Sequence, residues 1–140
     1  MSAMTLMRAA VILLIVCVLD DRVSAQTSEC RIGKSQQVAE LMFGRKIGER
    51  IGVSNTAWAR FVDREITPRF PNGFTVIDAQ GQWRDTDHNK VMREPSKLVQ
   101  IVLAGTDEDQ QRLGEIAAAY KARFRQQSVG IIVRPACVAF

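Results

Sequence analysis

The chain of 140 residues contains 19 lysines and arginines against 15 aspartates and glutamates, so its formal net charge is +4 at pH 7. A small positive charge with both signs interspersed favours solubility and does not indicate a nucleic-acid partner. No repeated aromatic and basic pattern indicates a platform for single strands, and the length allows one domain with a single core.

The first 25 residues have the pattern of an export signal. Arg8 precedes an apolar run at residues 9–19, and Val23-Ser24-Ala25 offers small residues for cleavage. We therefore predict a signal peptide at 1–25 and a single mature domain at 26–140, exported to the periplasm or secreted. An uncleaved anchor helix is the alternative, but the run is shorter than the roughly 20 apolar residues that span a bilayer. We expect no stable membrane span after cleavage.

Two strands and a helix are predicted in the first half of the mature chain. Residues 37–45 alternate in polarity and predict the first strand. Ser54 can cap a helix that runs to about residue 67, where Pro68 ends it. After a Pro-Asn-Gly turn, residues 74–79 predict the second strand.

The second half repeats this order after a polar connection at residues 85–90. Residues 97–103 predict the third strand, and residues 128–134 predict the last. Between them, Thr106 or Asp107 can cap a helix with acidic residues at its start and basic residues at its end. The apolar stripe of this helix consists of Leu113, Ile116, Ala117, Tyr120 and Phe124.

The order β-α-β-β-α-β predicts a ferredoxin-like α+β fold, with strand order 4-1-3-2 and both helices on one face of an antiparallel sheet. The face without helices would carry Val38, Glu40, Met42, Leu98, Gln100, Val102 and Ile132. This mixture is rather apolar for a fully wetted surface. It favours either a homodimer through the open sheet face or a ligand lying on the sheet, with a plain exposed face as the alternative.

Two cysteines remain in the predicted mature chain. Cys30 precedes the first strand and Cys137 follows the last, and these strands are neighbours in the predicted order. We predict a disulfide between them, because an isolated pair in an oxidising compartment is more often bridged than redox-active. Two free thiols are the alternative.

A group of basic and polar residues is predicted to meet at one end of the sheet. The glycine-spaced, basic segment 44–54 leads into a helix N-terminus there, where backbone N–H groups favour an anion. We predict a site for a small anionic ligand; a solvated basic loop is the alternative. The predicted ligand-binding residues are Arg45, Lys46, Arg50, Gln82, Trp83, Arg84, Arg93 and Gln126.

Two acidic residues are the candidates for catalysis. Asp78 lies in an apolar strand and is expected to be wetted or paired, although burial without a cation would give it the raised pKa of a general base. Glu94 follows Arg93 and is expected to form a surface pair with it. The alternative function is a cofactor-independent enzyme, similar to small oxygenases or isomerases, that uses Asp78 or Glu94 as acid or base.

The sequence indicates neither a metal nor a cofactor. His88 is the only histidine, and no Ser-His-Asp motif accompanies it. Asp85, Asp87 and Asn89 mimic the opening of a calcium loop, but Lys90 stands where the loop requires glycine, so we predict no metal site.

Residues 66–84 (ITPRFPNGFTVIDAQGQWR) contain the pattern FPxGxTxxDxxGQW. With Phe43-Gly44-Arg45, Trp58 and Tyr120, this stretch resembles a family of exported bacterial proteins, a domain of unknown function. The resemblance covers nearly all of residues 26–140 and implies export, without implying a reaction. We therefore expect an exported binding or envelope-associated protein.

Overall fold

The computed structural model describes residues 30–85 and 88–140; the predicted signal peptide at 1–25 and its cleavage site lie outside the described residues. Six strands and two α-helices follow one another along the described chain. They are β1 (Lys34–Gly44), β2 (Lys46–Ile47), β3 (Arg50–Ile51), α1 (Asn55–Phe61), β4 (Thr75–Asp85), β5 (Lys90–Leu103), α2 (Asp107–Phe124) and β6 (Gly130–Val138).

Four of the strands form one antiparallel sheet in the order β4-β5-β1-β6. Counting only these four strands, this is the predicted order 4-1-3-2, so the ferredoxin-like prediction is confirmed. The two-residue strands β2 and β3 form a separate small hairpin after β1, within the segment predicted as a loop. We call residues 45–53 the wall hairpin.

The hydrophobic core lies between the helices and one face of the sheet. Phe43 in β1 contacts Phe61 of α1 and Tyr120 of α2, with ring centroids 6.0 and 4.7 Å apart in edge-to-face geometry. All three are fully buried. Aromatic pairs of this kind stabilise beyond the area they bury, and here they join both helices to the central strand.

The first helix ends where it was predicted to end, but its type changes before that point. Regular α-helix stops at Phe61, and a π-helical segment, Val62–Ile66, replaces its last turn. The Thr67 N–H donates to the Val62 carbonyl in the wider i−5 pattern, and Pro68 cannot continue the ladder. The wider turn lets Phe61 and Ile66, five residues apart, both lie fully buried.

Strands β4 and β5 are longer than predicted, because their backbone pairing continues past the residues with alternating polarity. Strands β4 and β5 stay paired from Thr75–Gln100 to Asp85–Lys90, so residues 85 and 90 of the predicted connection belong to the strands. Pairing of β5 with β1 ends at Ser96. Residues 80–85 and 90–95 therefore project beyond β1 as a two-stranded ribbon, which we call the hairpin arm.

The other end of the sheet is closed by a disulfide between Cys30 and Cys137, as predicted. Strands β1 and β6 pair as far as Lys34–Val138, next to this bridge. No helix among residues 30–85 and 88–140 has the length and apolar character needed to cross a membrane.

We expect Cys30→Ser/Cys137→Ser to lower the free energy of unfolding by about 4–5 kcal/mol, because the bridge closes a loop of about 100 residues in the unfolded chain. Urea unfolding of the variant and of the oxidised wild type measures the difference. Equal midpoints would contradict a stabilising role for the bridge.

A candidate ligand groove on the open sheet face

A groove of about 770 Å³ lies on the sheet face opposite the helices. Its floor is lowered by small residues on the groove face of the strands. They are Gly44, Ala79, Gly81, Ser96 and Gly130. Met42, Met92 and Leu98 provide apolar surface beside them. The volume lies in the range of sites for small organic molecules.

The Glu94 carboxylate lies in this groove and is only 8% exposed. Trp83 donates its indole N–H to Glu94 Oε1 (2.9 Å), and the backbone N–H of Lys46 donates to Oε2 (2.8 Å). Among the described residues, Glu94 makes no ion pair. A carboxylate offers about four acceptor positions, so two neutral donors leave capacity for a ligand.

Gly44 makes room for this carboxylate. A Cβ at residue 44 would lie 2.7 Å from Glu94 Oε1 and 2.8 Å from Oε2. The two residues are offset by one register step across β1 and β5, since Gly44 pairs with Ser96. The absence of a side chain at Gly44 therefore positions Glu94 in the groove.

One side of the groove is formed by the wall hairpin. Hydrogen bonds of the Lys46 backbone hold this hairpin in place. The Lys46 N–H is bound by Glu94, and the Lys46 carbonyl accepts a hydrogen bond from Gln126 Nε2 (2.7 Å). Shortly before Lys46 in the chain, the Gly44 carbonyl accepts a hydrogen bond from the Tyr120 hydroxyl (2.7 Å). Burial raises the pKa of Tyr120, so the phenol keeps the proton that it donates.

Opposite this wall, the hairpin arm closes the groove. Trp83, 42% exposed, lies on the groove side of the arm. Lys90 at its tip forms a 2.7 Å ion pair with Glu49 of the wall hairpin, and the hydrogen bond from Lys90 lowers the pKa of Glu49. The two sides thus meet at the mouth of the groove through an exposed ion pair.

Of the residues predicted to bind an anion, four line the groove and four do not. Lys46, Gln82, Trp83 and Gln126 line it. Arg45, Arg50, Arg84 and Arg93 are absent from its lining. Arg84 and Arg93 lie on the opposite face of the ribbon from Trp83 and Glu94. The anion site stays a prediction.

The expected surface pair between Arg93 and Glu94 is wrong. Adjacent residues of a strand point to opposite faces, so Glu94 enters the groove while Arg93 lies on the reverse of the arm. There Arg93 donates to Gln82 Oε1 (2.8 Å).

Asp78 is placed outside the groove lining, with its side chain 81% exposed and paired with Lys97. The hydrogen bond from Lys97 lowers the pKa of Asp78. A general base needs a raised pKa, so the shift has the wrong direction for the catalytic alternative at this residue. Glu94 is the acidic residue that the geometry favours.

Gly44, Met92 and Ser96 line the groove but are not among the site residues predicted from the sequence. The pairing register of the strands is the one feature that would have placed these residues on the groove face. Once Gly44 is paired with Ser96 and Met92 with Trp83, all four fall on the face without helices.

The chain belongs to the family described as protein of unknown function (DUF3574), whose sequence model matches residues 38–140. No curated protein matches the chain in sequence.

Solved structures share the fold at low identity. A phage SAM lyase in complex with S-methyl-5′-thioadenosine has a TM-score of 0.61 at 16% identity, covering 74% of this chain and 84% of its own. The apo state of a phage SAM lyase has a TM-score of 0.58 at 16% identity, covering 76% and 86%. CutA from Synechococcus elongatus has a TM-score of 0.49 at 8% identity, covering 76% and 81%. At these identities the first two similarities show a common fold alone.

We expect Gly44→Ala to destabilise the protein by about 1–3 kcal/mol, since the added methyl displaces the Glu94 carboxylate and breaks its hydrogen bonds with Trp83 and Lys46. The matched control is Gly81→Ala, where the nearest atom, Ser96 Oγ, lies at an ordinary 3.6 Å. Urea unfolding followed by tryptophan fluorescence measures both. Equal stability of the two variants would contradict the role given to Gly44.

We expect Asp78→Asn to lower stability at pH 7 and to lose this effect in acid. Because the folded pKa of Asp78 is lowered, its ion pair contributes above the unfolded pKa of about 3.9 and is lost as pH falls through the folded pKa. Urea midpoints at pH 7 and pH 2 check this. A difference that grows in acid would contradict the assigned direction.

Proposed function

We propose that this exported DUF3574 protein binds a small organic molecule of about nucleoside size in the groove, with Glu94 receiving a cationic or hydrogen-bond-donating group. The observation that carries the proposal is the buried Glu94 carboxylate, which neutral donors hold without a cation. Burying an unpaired charge is costly, so a positively charged ligand would regain part of the lost interaction.

The lining of the groove fits a ligand with an apolar, polarisable portion. Met42, Met92 and Trp83 lie around the carboxylate, and thioether and indole groups adapt to flat or sulfur-containing ligands. Lys46 lies at the rim, where its ammonium can meet an anionic group of the same ligand.

The likeness to phage SAM lyase suggests the first compounds to test. One of those structures holds S-methyl-5′-thioadenosine. SAM carries a sulfonium cation and a thioadenosine-like portion, so it combines the two features that the groove fits. We therefore infer the class of adenosyl sulfonium and thioether compounds. Catalysis by Glu94, as acid or base on such a substrate, is the second candidate, favoured by the burial of its carboxylate.

Export is part of the proposal. The Cys30–Cys137 bridge fits an oxidising compartment, and the pattern of residues 1–25 fits a cleaved signal. Dimerisation through the open face stays a prediction; Ile77 and Ile132 on that face are 44% and 45% exposed.

Calorimetric titration with SAM and with S-methyl-5′-thioadenosine tests the function. We expect Glu94→Gln to weaken binding of the cationic SAM about tenfold more than binding of the neutral thioether, a difference of about 1.4 kcal/mol. The reason is that only the sulfonium compound gains from the full negative charge.

The matched control is Glu40→Gln, the same change of carboxylate to amide on the same sheet face but outside the groove, where Glu40 pairs with Arg134. It should leave both affinities unchanged. Absence of binding by the wild type would reject this ligand class, and equal losses for both compounds would reject the charge role of Glu94. Chromatography of the incubated SAM shows whether turnover accompanies binding.

A further inference from the structure

The reverse of the hairpin arm carries arginines held in an unusual way. Six arginines of the described chain make side-chain hydrogen bonds through their guanidinium groups. Arg69, Arg112 and Arg134 donate to carboxylates. Arg45, Arg84 and Arg93 instead donate to uncharged oxygens.

Two of these guanidinium groups lie on the arm itself. Arg93 Nε donates to Gln82 Oε1 (2.8 Å), and Arg84 donates one terminal nitrogen to Asn89 Oδ1 (3.1 Å). The neutral amides orient each side chain and leave its positive charge uncompensated. Both terminal nitrogens of Arg93 keep their N–H groups available, as do Nε and one terminal nitrogen of Arg84.

The register places the two side chains side by side. Gln82 pairs with Arg93, and Arg84 pairs with Val91, so Arg84 and Arg93 are diagonal neighbours on one face of the ribbon. Such neighbours are about 7–8 Å apart and within reach of long side chains. Both are exposed.

The nearby carboxylates are occupied elsewhere. Asp78 on the same face of β4 is paired with Lys97. Asp85 lies on the groove side and contacts His88 at 2.8 Å. Among the described residues, the arginine pair on the arm therefore has no anionic partner.

We propose that Arg84 and Arg93, oriented by Asn89 and Gln82, form a second binding site on the reverse of the arm, selective for a phosphate group. Two preoriented planar forks match the oxygens of a tetrahedral phosphate, which arginine binds in bidentate fashion. The two arginines lie on the face of the ribbon opposite Trp83 and Glu94 and are absent from the groove lining, although Gln82, which orients Arg93, borders the groove.

Titration with inorganic phosphate, followed by the arginine Nε–H resonances in nitrogen-15 NMR spectra, tests the proposal. We expect saturable shifts at Arg84 and Arg93, and about tenfold weaker binding in Arg84→Ala. Arg93→Lys should weaken binding similarly, because lysine keeps the charge but lacks the fork. Arg60→Ala, on the exposed side of α1 and without a guanidinium hydrogen bond, is the charge-matched control.

Shifts that do not saturate, or equal losses in Arg60→Ala and Arg84→Ala, would overturn the site. Wild-type affinity for phosphate in Arg93→Lys would overturn the bidentate geometry. Glu94→Gln should leave phosphate binding unchanged, so this result stands apart from the outcome in the groove.

Sedimentation with phosphatidylcholine vesicles, with and without phosphatidylglycerol, identifies the source of the phosphate. Binding to the anionic vesicles that disappears in Arg84→Ala/Arg93→Ala supports a lipid headgroup. Saturable phosphate binding without sedimentation supports a soluble phosphate ester.

Discussion

The position of the Glu94 carboxylate over Gly44 is the constraint on which the candidate groove depends. A negative charge is kept nearly buried by two neutral donors, the indole of Trp83 on the hairpin arm and the backbone N–H of Lys46 on the wall hairpin. Both sides of the groove are thus attached to one side chain. Substitution of any residue in this set changes the shape of the groove as well as its charge.

Helix α2 and the residues just after it hold this arrangement in place from the helix side of the sheet. Tyr120, fully buried among Phe43, Phe61 and Phe124, binds the carbonyl of Gly44 from the helix side of the sheet. Gln126, just after the same helix, binds the carbonyl of Lys46. Helix α2 therefore fixes the end of β1 and the start of the wall hairpin together. The aromatic core and the polar groove are parts of one structure, joined through two backbone carbonyls.

The hairpin arm separates two kinds of chemistry on its two faces. Alternation along β4 and β5 directs Trp83 and Glu94 into the groove, and Arg84 and Arg93 to the reverse. Lys46 was predicted to bind an anion together with Arg84 and Arg93. It lies on the groove side, whereas the two arginines lie on the reverse of the arm. A ligand in the groove meets a carboxylate, while a ligand on the reverse meets guanidinium groups.

Local patterns in the sequence determined the elements, because alternation, caps and apolar stripes are set by neighbours along the chain. The apolar stripe of α2 and the cap at Thr106 follow from such patterns. The order of the elements in turn predicted the strand order and the Cys30–Cys137 bridge. Only the tertiary structure decided the burial of Glu94. Its environment depends on the register of β4 and β5 beyond β1 and on the space at Gly44, fifty residues earlier. Apolar and polar residues occur on both faces of the segment around Arg93 and Glu94, so only the fold distinguishes the face that is enclosed from the face that meets water.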